Sequence, residues 1–477
     1  RVDLGDILFA MIGSIGNPVI VECEHEFSIK NVALFKFYKA NTPERLFLHN
    51  FLLSSQTAMK AISSGAVQSF VSLNFIRNYL FPLPPLAEQK RIVARVEQLI
   101  ARCDELEKLR AARDEKRLET HAAALNALFA AADSGDFSTA WKFISRNFDE
   151  LYTVKENVAE LRKAILQLAV MGRLVPQDPN DQPASELLKE IAAEKARLIK
   201  SGVFREQEEF RTAKQIEHKQ LPNNWSLTTV QKLGFLCGGK RLPKGHTYSE
   251  TPSEHRYLTV TNMKDQTIID NEVKYISDET FNEIKKYIIT KDDLYITIAG
   301  TIGVVGTIPE SCDGMNLTEN AARFVFFKCD KRFLVYLLNS YSVQQQFMNL
   351  TNTLAQPKLS LRSIQSTEIG IPPLKEQKRI VARIEQLMGR CDELERLRAE
   401  RDKMRLDTHA AAINQLLSAA DSENFSSAWR FITSNFAELY SVKENVAELR
   451  KTILQLAVMG KLVPQDPNDQ PASELLK

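Results

Sequence analysis

Apolar side chains recur along this chain with two periods, and the change from one to the other marks out its parts. From Leu86 to about Ala132, Ile92, Val96, Leu99, Cys103 and Leu106 fall at steps of four and three, the seam spacing of a coiled-coil-like helix. A continuous helix there would run about 70 Å at 1.5 Å per residue. Pro84 and Pro85 make a good entrance to it. Mixed charges from Lys108 to Lys116 set its middle against water or a partner, and Asp133-Ser-Gly-Asp136 is expected to end it. A second helical stretch from about Val154 to Met171 carries Val158, Leu161, Ile165 and Leu168 on one face, with Gly172 as its stop. After the turn-rich Pro176–Pro183, Ser185 is expected to cap a third helix reaching about Ser201. Helices joined by short connectors and bearing matching stripes pack most simply antiparallel. The period alone does not choose between a spacer and an ordinary bundle core.

From about Leu221 to Gly370 the pattern shortens. Tyr257–Thr261, Leu294–Ile298 and Arg323–Phe327 are β-branched or aromatic runs bounded by turn residues, and read as strands. A helix is expected over Phe333–Leu350, and Gly300, Gly303 and Gly306 punctuate the strands. This stretch is a mixed α/β module.

The chain also repeats itself. Pro84-Pro-Leu-Ala-Glu-Gln-Lys-Arg-Ile-Val-Ala-Arg95 returns 288 positions on (84 to 372) as Pro372-Pro-Leu-Lys-Glu-Gln-Lys-Arg-Ile-Val-Ala-Arg383. The register holds to the last residue, where Leu174–Lys189 matches Leu462–Lys477. A period this long is a duplicated half-protein, not a solenoid unit of about 20–50 residues. Between the near-identical blocks the sequences differ, with a faint shared plan: Val2–Gly16 parallels Thr290–Gly303, and Phe70-Val-Ser-Leu73 parallels Lys358-Leu-Ser-Leu361. The reading is therefore a first variable module at 1–83, a helical block at 84–220, a second variable module at 221–370, and a helical block at 371–477 repeating 84–189. The first module has no counterpart of roughly 225–288 and reads as cut; Arg1 in place of Met points the same way.

Composition adds limits. The 477 residues are 44% hydrophobic and 26% charged, ordinary for a globular protein of several domains. No run of 18 apolar residues and no signal-like start is present, so a cytoplasmic setting without a membrane is expected. Six cysteines, none spaced C-x-x-C, form no disulfide framework, and seven histidines show no zinc-ligand spacing. A net charge of +2 neither demands nor excludes nucleic acid. Such a balance fits basic residues concentrated locally, or partners that share the phosphate contacts.

Catalytic signatures are missing. No G-x-x-x-x-G-K-[ST] loop occurs, and Gly238-Gly239-Lys240 lacks both its spacing and its hydroxyl residue. No Ser/His/Asp order, H-E-x-x-H or amino-methyltransferase Asn/Asp-Pro-Pro-aromatic motif is visible. What is present is Leu221-Pro-Asn-Asn-Trp225 entering a variable module, Ile371-Pro-Pro-Leu-Lys-Glu-Gln-Lys378 leaving it for a long helix, and Ala164-Ile-Leu-Gln-Leu-Ala-Val-Met-Gly-Arg-Leu-Val-Pro176. Together with the duplication, this set resembles the specificity subunits of type I restriction–modification enzymes across nearly the whole chain. The resemblance implies an α+β fold: two target-recognition domains alternating with long antiparallel coiled-coil-like helical spacers, in an internal pseudo-two-fold duplication. It implies a non-catalytic subunit that reads a bipartite double-stranded DNA target and docks two methyltransferase subunits and restriction subunits. S-adenosylmethionine, ATP and Mg would be bound by those partners, with none on this chain.

Base edges are read by Arg, Lys, Asn and Gln, and phosphates by basic and hydroxyl side chains. The candidates for DNA contact in the second module are Lys240, Arg241, Lys244, Asn262, Lys264, Thr301, Gln356, Lys358 and Arg362. In the first module they are Ser14, Gln68, Ser72 and Asn74. Arg91, Arg95, Arg379 and Arg383, at helical spacing, could face DNA, partner carboxylates or only water. A coiled-coil scaffold that organises protein partners without reading DNA would use the same helices and duplication. The divergence of the two modules speaks against it, because a symmetric scaffold has no need of different heads.

Overall fold

The computed structural model describes residues 1–476 other than 14, 25–26, 38–41, 63–69, 211–220 and 350–357. The first variable module carries β1 (Ile7–Ala10), β2 (Gly16–Ile20), β3 (Val32–Phe35), α1 (Thr42–Ile62) and α2 (Leu73–Arg77). The first helical block follows with α3 (Leu86–Ala130), α4 (Ser134–Arg146), α5 (Phe148–Leu151), α6 (Lys155–Val170) and α7 (Ala184–Lys200). The second module opens with β4 (Ser226–Thr229), α8 (Val230–Leu233), β5 (Gly234–Gly238), β6 (Arg256–Leu258), β7 (Met263–Lys264), β8 (Thr267–Ile268), β9 (Lys274–Tyr275) and α9 (Asp278–Ile284). It closes with β10 (Leu294–Thr297), β11 (Val305–Thr307), β12 (Asn316–Leu317), β13 (Ala321–Phe326), α10 (Lys331–Leu338), α11 (Tyr341–Asn349), α12 (Leu361–Gln365) and β14 (Glu368–Ile371). The second helical block is α13 (Leu374–Ser418), α14 (Ser422–Ser434), α15 (Phe436–Leu439) and α16 (Lys443–Val458). The fold is α+β, with small sheets set between long helices.

These elements form two compact units, residues 1–117 with 396–477, and residues 118–395. Each therefore combines part of one repeat with the complementary part of the other. In the first unit, Ile92, Val96 and Cys103 of α3 share a core with Ile413 and Leu416 of α13, Ile432 of α14 and Val446, Ile453 and Leu456 of α16. In the second, Leu125 and Leu128 of α3 share one with Ile165 and Leu168 of α6 and Ile380, Ile384 and Cys391 of α13.

Ion pairs repeat the exchange at the 288-residue offset. Arg450 Nη2 lies 2.6 Å from Asp104 and 2.9 Å from Glu107; Arg162 Nη2 lies 2.7 Å from Asp392 and 3.0 Å from Glu395. Arg91 meets Asp469 at 2.7 Å and Arg379 meets Asp181 at 2.7 Å. Because Arg450 faces residues 104–107 while Asp469 faces Arg91, the chain after Lys443 runs antiparallel to the first part of α3. The same order holds for α6 against the first part of α13.

The second stretch runs parallel, however, to the long helix that precedes it. Asn445 Nδ2 donates to Arg405 O at 3.3 Å, and Lys461 Nζ donates to Ala419 O at 2.8 Å. The reason is an intervening return helix that the spacing did not reveal. Asp133 does more than end α3: its carboxylate accepts from the amides of Gly135 and Asp136 and so caps α4. Asp421 caps α14 in the same way.

Three other boundaries differ from the sequence reading. Helix α7 starts at Ala184 behind Pro183, with no side-chain cap from Ser185. The helix expected over Phe333–Leu350 is two helices, because Asn339 breaks it to bond both backbone groups of Val305. The Tyr257–Thr261 strand stops at Leu258, where Thr259 and Asn262 cap each other around a tight 3₁₀ turn.

In the second module the sheet order is β11-β10-β13-β5, beside β12-β6-β9. Strands β4 and β14 pair antiparallel, Ser226 opposite Ile371, so the entering and leaving chain are tied together at the base. The first module has the order β2-β1-β3. Ile7 lies opposite Phe35 there, and Tyr295 opposite Arg323 here, so the 288-residue register holds for these two strand pairs; on the other side of the central strand it shifts by two, Leu8 pairing with Val19 and Ile296 with Val305. Among the described residues no helix is long and apolar enough to cross a membrane, and no cluster of His, Cys, Asp or Glu is placed to hold a metal ion.

Candidate nucleic-acid interface

One end of the second module is a rim of loops fastened to one another by main-chain hydrogen bonds. It forms where β5, β6, β10 and β12 finish and β11 and β13 begin. After β5, Gly239 N donates to Ala321 O at 3.0 Å and Lys240 N to Leu317 O at 2.8 Å. The loop passes the neighbouring strand so closely that a Cβ on Gly239 would lie 2.0 Å from Thr318 O. Gly239 is needed there for that approach.

The other loops are tied in turn. After β10, the amides of Ile298 and Ala299 donate to Asn320 O, and Leu359 N donates to Ile298 O. Thr297 closes the 298–304 turn by accepting from Val304 N at its hydroxyl and donating to Thr301 O. Ser360 caps α12 through Ser363 N at 2.9 Å, as Ser72 caps α2 through Phe75 N at 3.1 Å. These two serines are related by the repeat.

Five sequence-predicted candidates lie on loops of this module: Lys240, Arg241 and Lys244 after β5, Thr301 after β10, and Lys358 before Leu359, all exposed and four of them cationic. Lys240 is further directed by the ring of Tyr287, 5.8 Å from its ammonium. Arg362, on α12 next to the rim, stacks its guanidinium 4.2 Å from the Phe210 ring centroid. The acid Glu319 sits beside one of these bases, Oε1 4.0 Å from Arg241 Nε, with the Arg241 side chain 76% and that of Glu319 32% exposed.

Two candidates are placed elsewhere. Lys264 is exposed on the β7–β8 hairpin. Asn262 is 3% exposed: its Oδ1 accepts from Thr259 N and Oγ1, and its Nδ2 donates to Ile269 O. Its amide is committed to the turn, and it drops out of the contact set. Gln356, Ser14 and Gln68 lie outside the described residues. Ser72 and Asn74 line a cavity of about 860 Å³ in the first unit, with Phe51, Ser55 and Tyr79.

The helix arginines are mostly spoken for. Arg91 and Arg379 hold Asp469 and Asp181, while Arg95 and Arg383 bond Gln98 and Gln386 one turn along their own helices. Reading by residue type missed Glu319, because a search for cations and amides passes over a carboxylate. The signal available was the polar run Thr318-Glu-Asn320 between Leu317 and the apolar start of β13.

The titratable groups near the rim serve structure. Tyr257, pushed up by burial, stays protonated and donates to Lys240 O at 2.7 Å. Tyr248 is raised by burial and by the charge of Glu319. Burial also raises the thiols of Cys103 and Cys391, as suits small buried side chains in a helix core.

The family model described as type I restriction modification DNA specificity domain matches residues 1–113 and 231–401. The specificity subunit of the type I restriction enzyme EcoAI of Escherichia coli is 35% identical over 360 residues, 71% of this chain and 57% of that protein. The EcoEI subunit, also from Escherichia coli, is 34% identical over 345 residues, 69% and 55%. The chain thus spans little more than half the length of these curated relatives. Among solved structures, the HsdS subunit from Thermoanaerobacter tengcongensis aligns over 96% of this chain and 82% of its own at a TM-score of 0.42 and 17% identity.

Proposed function

Because the chain belongs to the type I restriction–modification DNA specificity family, we propose that it is a non-catalytic DNA sequence-recognition subunit whose second module reads one half of a bipartite target through the 239–244, 299–303, 318–320 and 358–360 rim. The observation that carries this is the bonding of the loop bearing Lys240 and Arg241 to the 317–321 segment, which sets exposed basic side chains on a braced edge of a chain whose net charge is only +2. Basic residues gathered on one face are the footprint of phosphate contact, whatever the overall balance. The first module, 1–83, reads the other half-site, and the helical blocks 84–220 and 371–477 dock two methyltransferase subunits and the restriction subunits. Methylation with S-adenosylmethionine and cleavage with ATP and Mg belong to those partners, in the cytoplasm.

The test is co-purification with the methyltransferase subunits, then selection from a randomised duplex library at a stated salt concentration. Enrichment of a defined half-site is expected. A complex that forms and enriches no sequence would leave a protein scaffold as the better account.

A further inference from the structure

Glu319 stands on a surface where a carboxylate is out of place. A face built to meet phosphates gains nothing from a negative charge beside the backbone, since affinity there comes from cations displacing counterions. A carboxylate on such a face has a use only toward a hydrogen-bond donor. On the floor of the major groove the exocyclic amino groups of cytosine and adenine are the donors. Adenine flanks its amino group with the N7 acceptor, which suits an amide that both donates and accepts. Cytosine offers the amino donor alone, and an acceptor-only carboxylate matches it.

The neighbouring charge completes the pattern. Arg241 Nε lies 4.0 Å from Glu319 Oε1, so a guanidinium and a carboxylate stand side by side. A G·C pair presents the guanine N7 and O6 acceptors next to the cytosine amino donor. We propose that Arg241 and Glu319 act together to read one G·C base pair, Arg241 donating to guanine and Glu319 accepting from the cytosine amino group. This rests on the DNA-reading role proposed above and names the residues that give it specificity.

The backbone around the pair is prepared for such a task. Lys240 N bonds Leu317 O and Tyr257 OH bonds Lys240 O, which fixes the loop bearing Arg241 against the segment bearing Glu319. Thr318 Oγ1 donates to Glu319 Oε2 at 3.2 Å, while Oε1 is the oxygen nearer Arg241. The repeat adds an independent observation. In the register that sets Ile7–Phe35 over Tyr295–Arg323, Glu319 corresponds to Asn31, an exposed residue just before β3. The two modules thus put a carboxylate and an amide at the same place, groups that match different bases. Modules that read different half-sites should differ in this way.

The experiment uses the full chain with its methyltransferase subunits, as wild type, Glu319→Gln, Arg241→Ala and the double variant, selected on a randomised duplex library at several salt concentrations. We expect a G·C requirement in the wild type that Glu319→Gln relaxes about five- to hundredfold at one position, leaving other positions and the salt slope as they were. Arg241→Ala should relax that same position, lowering the salt slope by no more than one contact, and the double variant should add little. An unchanged preference at every position in Glu319→Gln would overturn the inference. So would tighter binding to all sequences alike, the signature of a charge merely removed from a phosphate-facing surface. A wild-type complex that enriches no sequence would instead refute the DNA-reading role, and the inference with it. Thermal melts of both single variants should match wild type, since neither side chain is buried.

Discussion

Tyr152→Phe removes a single hydroxyl from the second unit and should weaken that unit alone. Tyr152 is 3% and His121 1% exposed, with the phenol oxygen 3.0 Å from His121 Nε2 and the rings edge-to-face at 5.2 Å. Burial lowers the His121 pKa and raises that of Tyr152, so the imidazole is neutral and the phenol protonated. One hydrogen bond joins the hydroxyl and Nε2, whichever of the two donates. Phenylalanine keeps the ring contacts and strands a buried imidazole nitrogen, which costs about 1–2 kcal/mol. Amides of α6 and of the last two turns of α3 should exchange about 5- to 30-fold faster in hydrogen–deuterium exchange. The repeat supplies the control: His409 and Tyr440 form the same pair at 3.2 Å in the first unit. Tyr440→Phe should produce the same loss around α16, and the two changes should add, having no shared neighbour. Unaltered exchange in Tyr152→Phe, or equal loosening of both units by either single change, would refute the reasoning.

Three further outcomes follow from the structure. Burial holds His121 and His409 below the ordinary 6.5. Their contribution to stability is then complete above about pH 6.5 and declines as the pH falls below it toward the folded-state value, because the unfolded chain takes up protons first. Denaturation midpoints taken from pH 7.5 to 5 should fall, and a flat profile would contradict the assignment. Gly239→Ala places a Cβ 2.0 Å from Thr318 O, whereas Gly238→Ala meets only Leu361, at 3.5 Å; the first should cost about 1–3 kcal/mol in chemical denaturation and the second almost nothing. Lys244→Ala should weaken binding to all duplexes alike and lower the salt slope by about 0.9, read by fluorescence anisotropy across a salt series. A changed sequence preference in that variant would give Lys244 a different role.

Much of this architecture was legible because it rests on periodicity. The four-and-three spacing of Ile92, Val96, Leu99 and Cys103 set α3, and the 288-residue offset set the duplication, down to the register of β1 on β3 and β10 on β13. What stayed hidden depended on side chains that bond backbone at a distance in sequence. Asp133 looks like a terminator until its carboxylate is seen capping α4. Asn339 looks like an ordinary helix residue until Val305 takes both ends of its amide. Asn262 looked available to DNA because its partners, Thr259 and Ile269, are fixed by the turn and not by any pattern. The rim was half legible: composition pointed to Lys240, Arg241 and Lys244, but only the fold brings Glu319 beside Arg241.

The duplication also has a reason inside the chain. Binding two identical partners would explain why the helical blocks match, yet each block also completes the other. Arg162 of the first block needs Asp392 and Glu395 of the second, and Arg450 of the second needs Asp104 and Glu107 of the first. Tyr152 likewise packs near Cys391, and Tyr440 near Cys103. A substitution in one copy leaves its partner stranded in the other, so the copies are coupled through their own cores. In the variable modules the sheets close on themselves: β1 pairs with β3 and β10 with β13, each within its own module. Their loops are therefore free to differ, Glu319 against Asn31, while the frame that holds them is constrained to match.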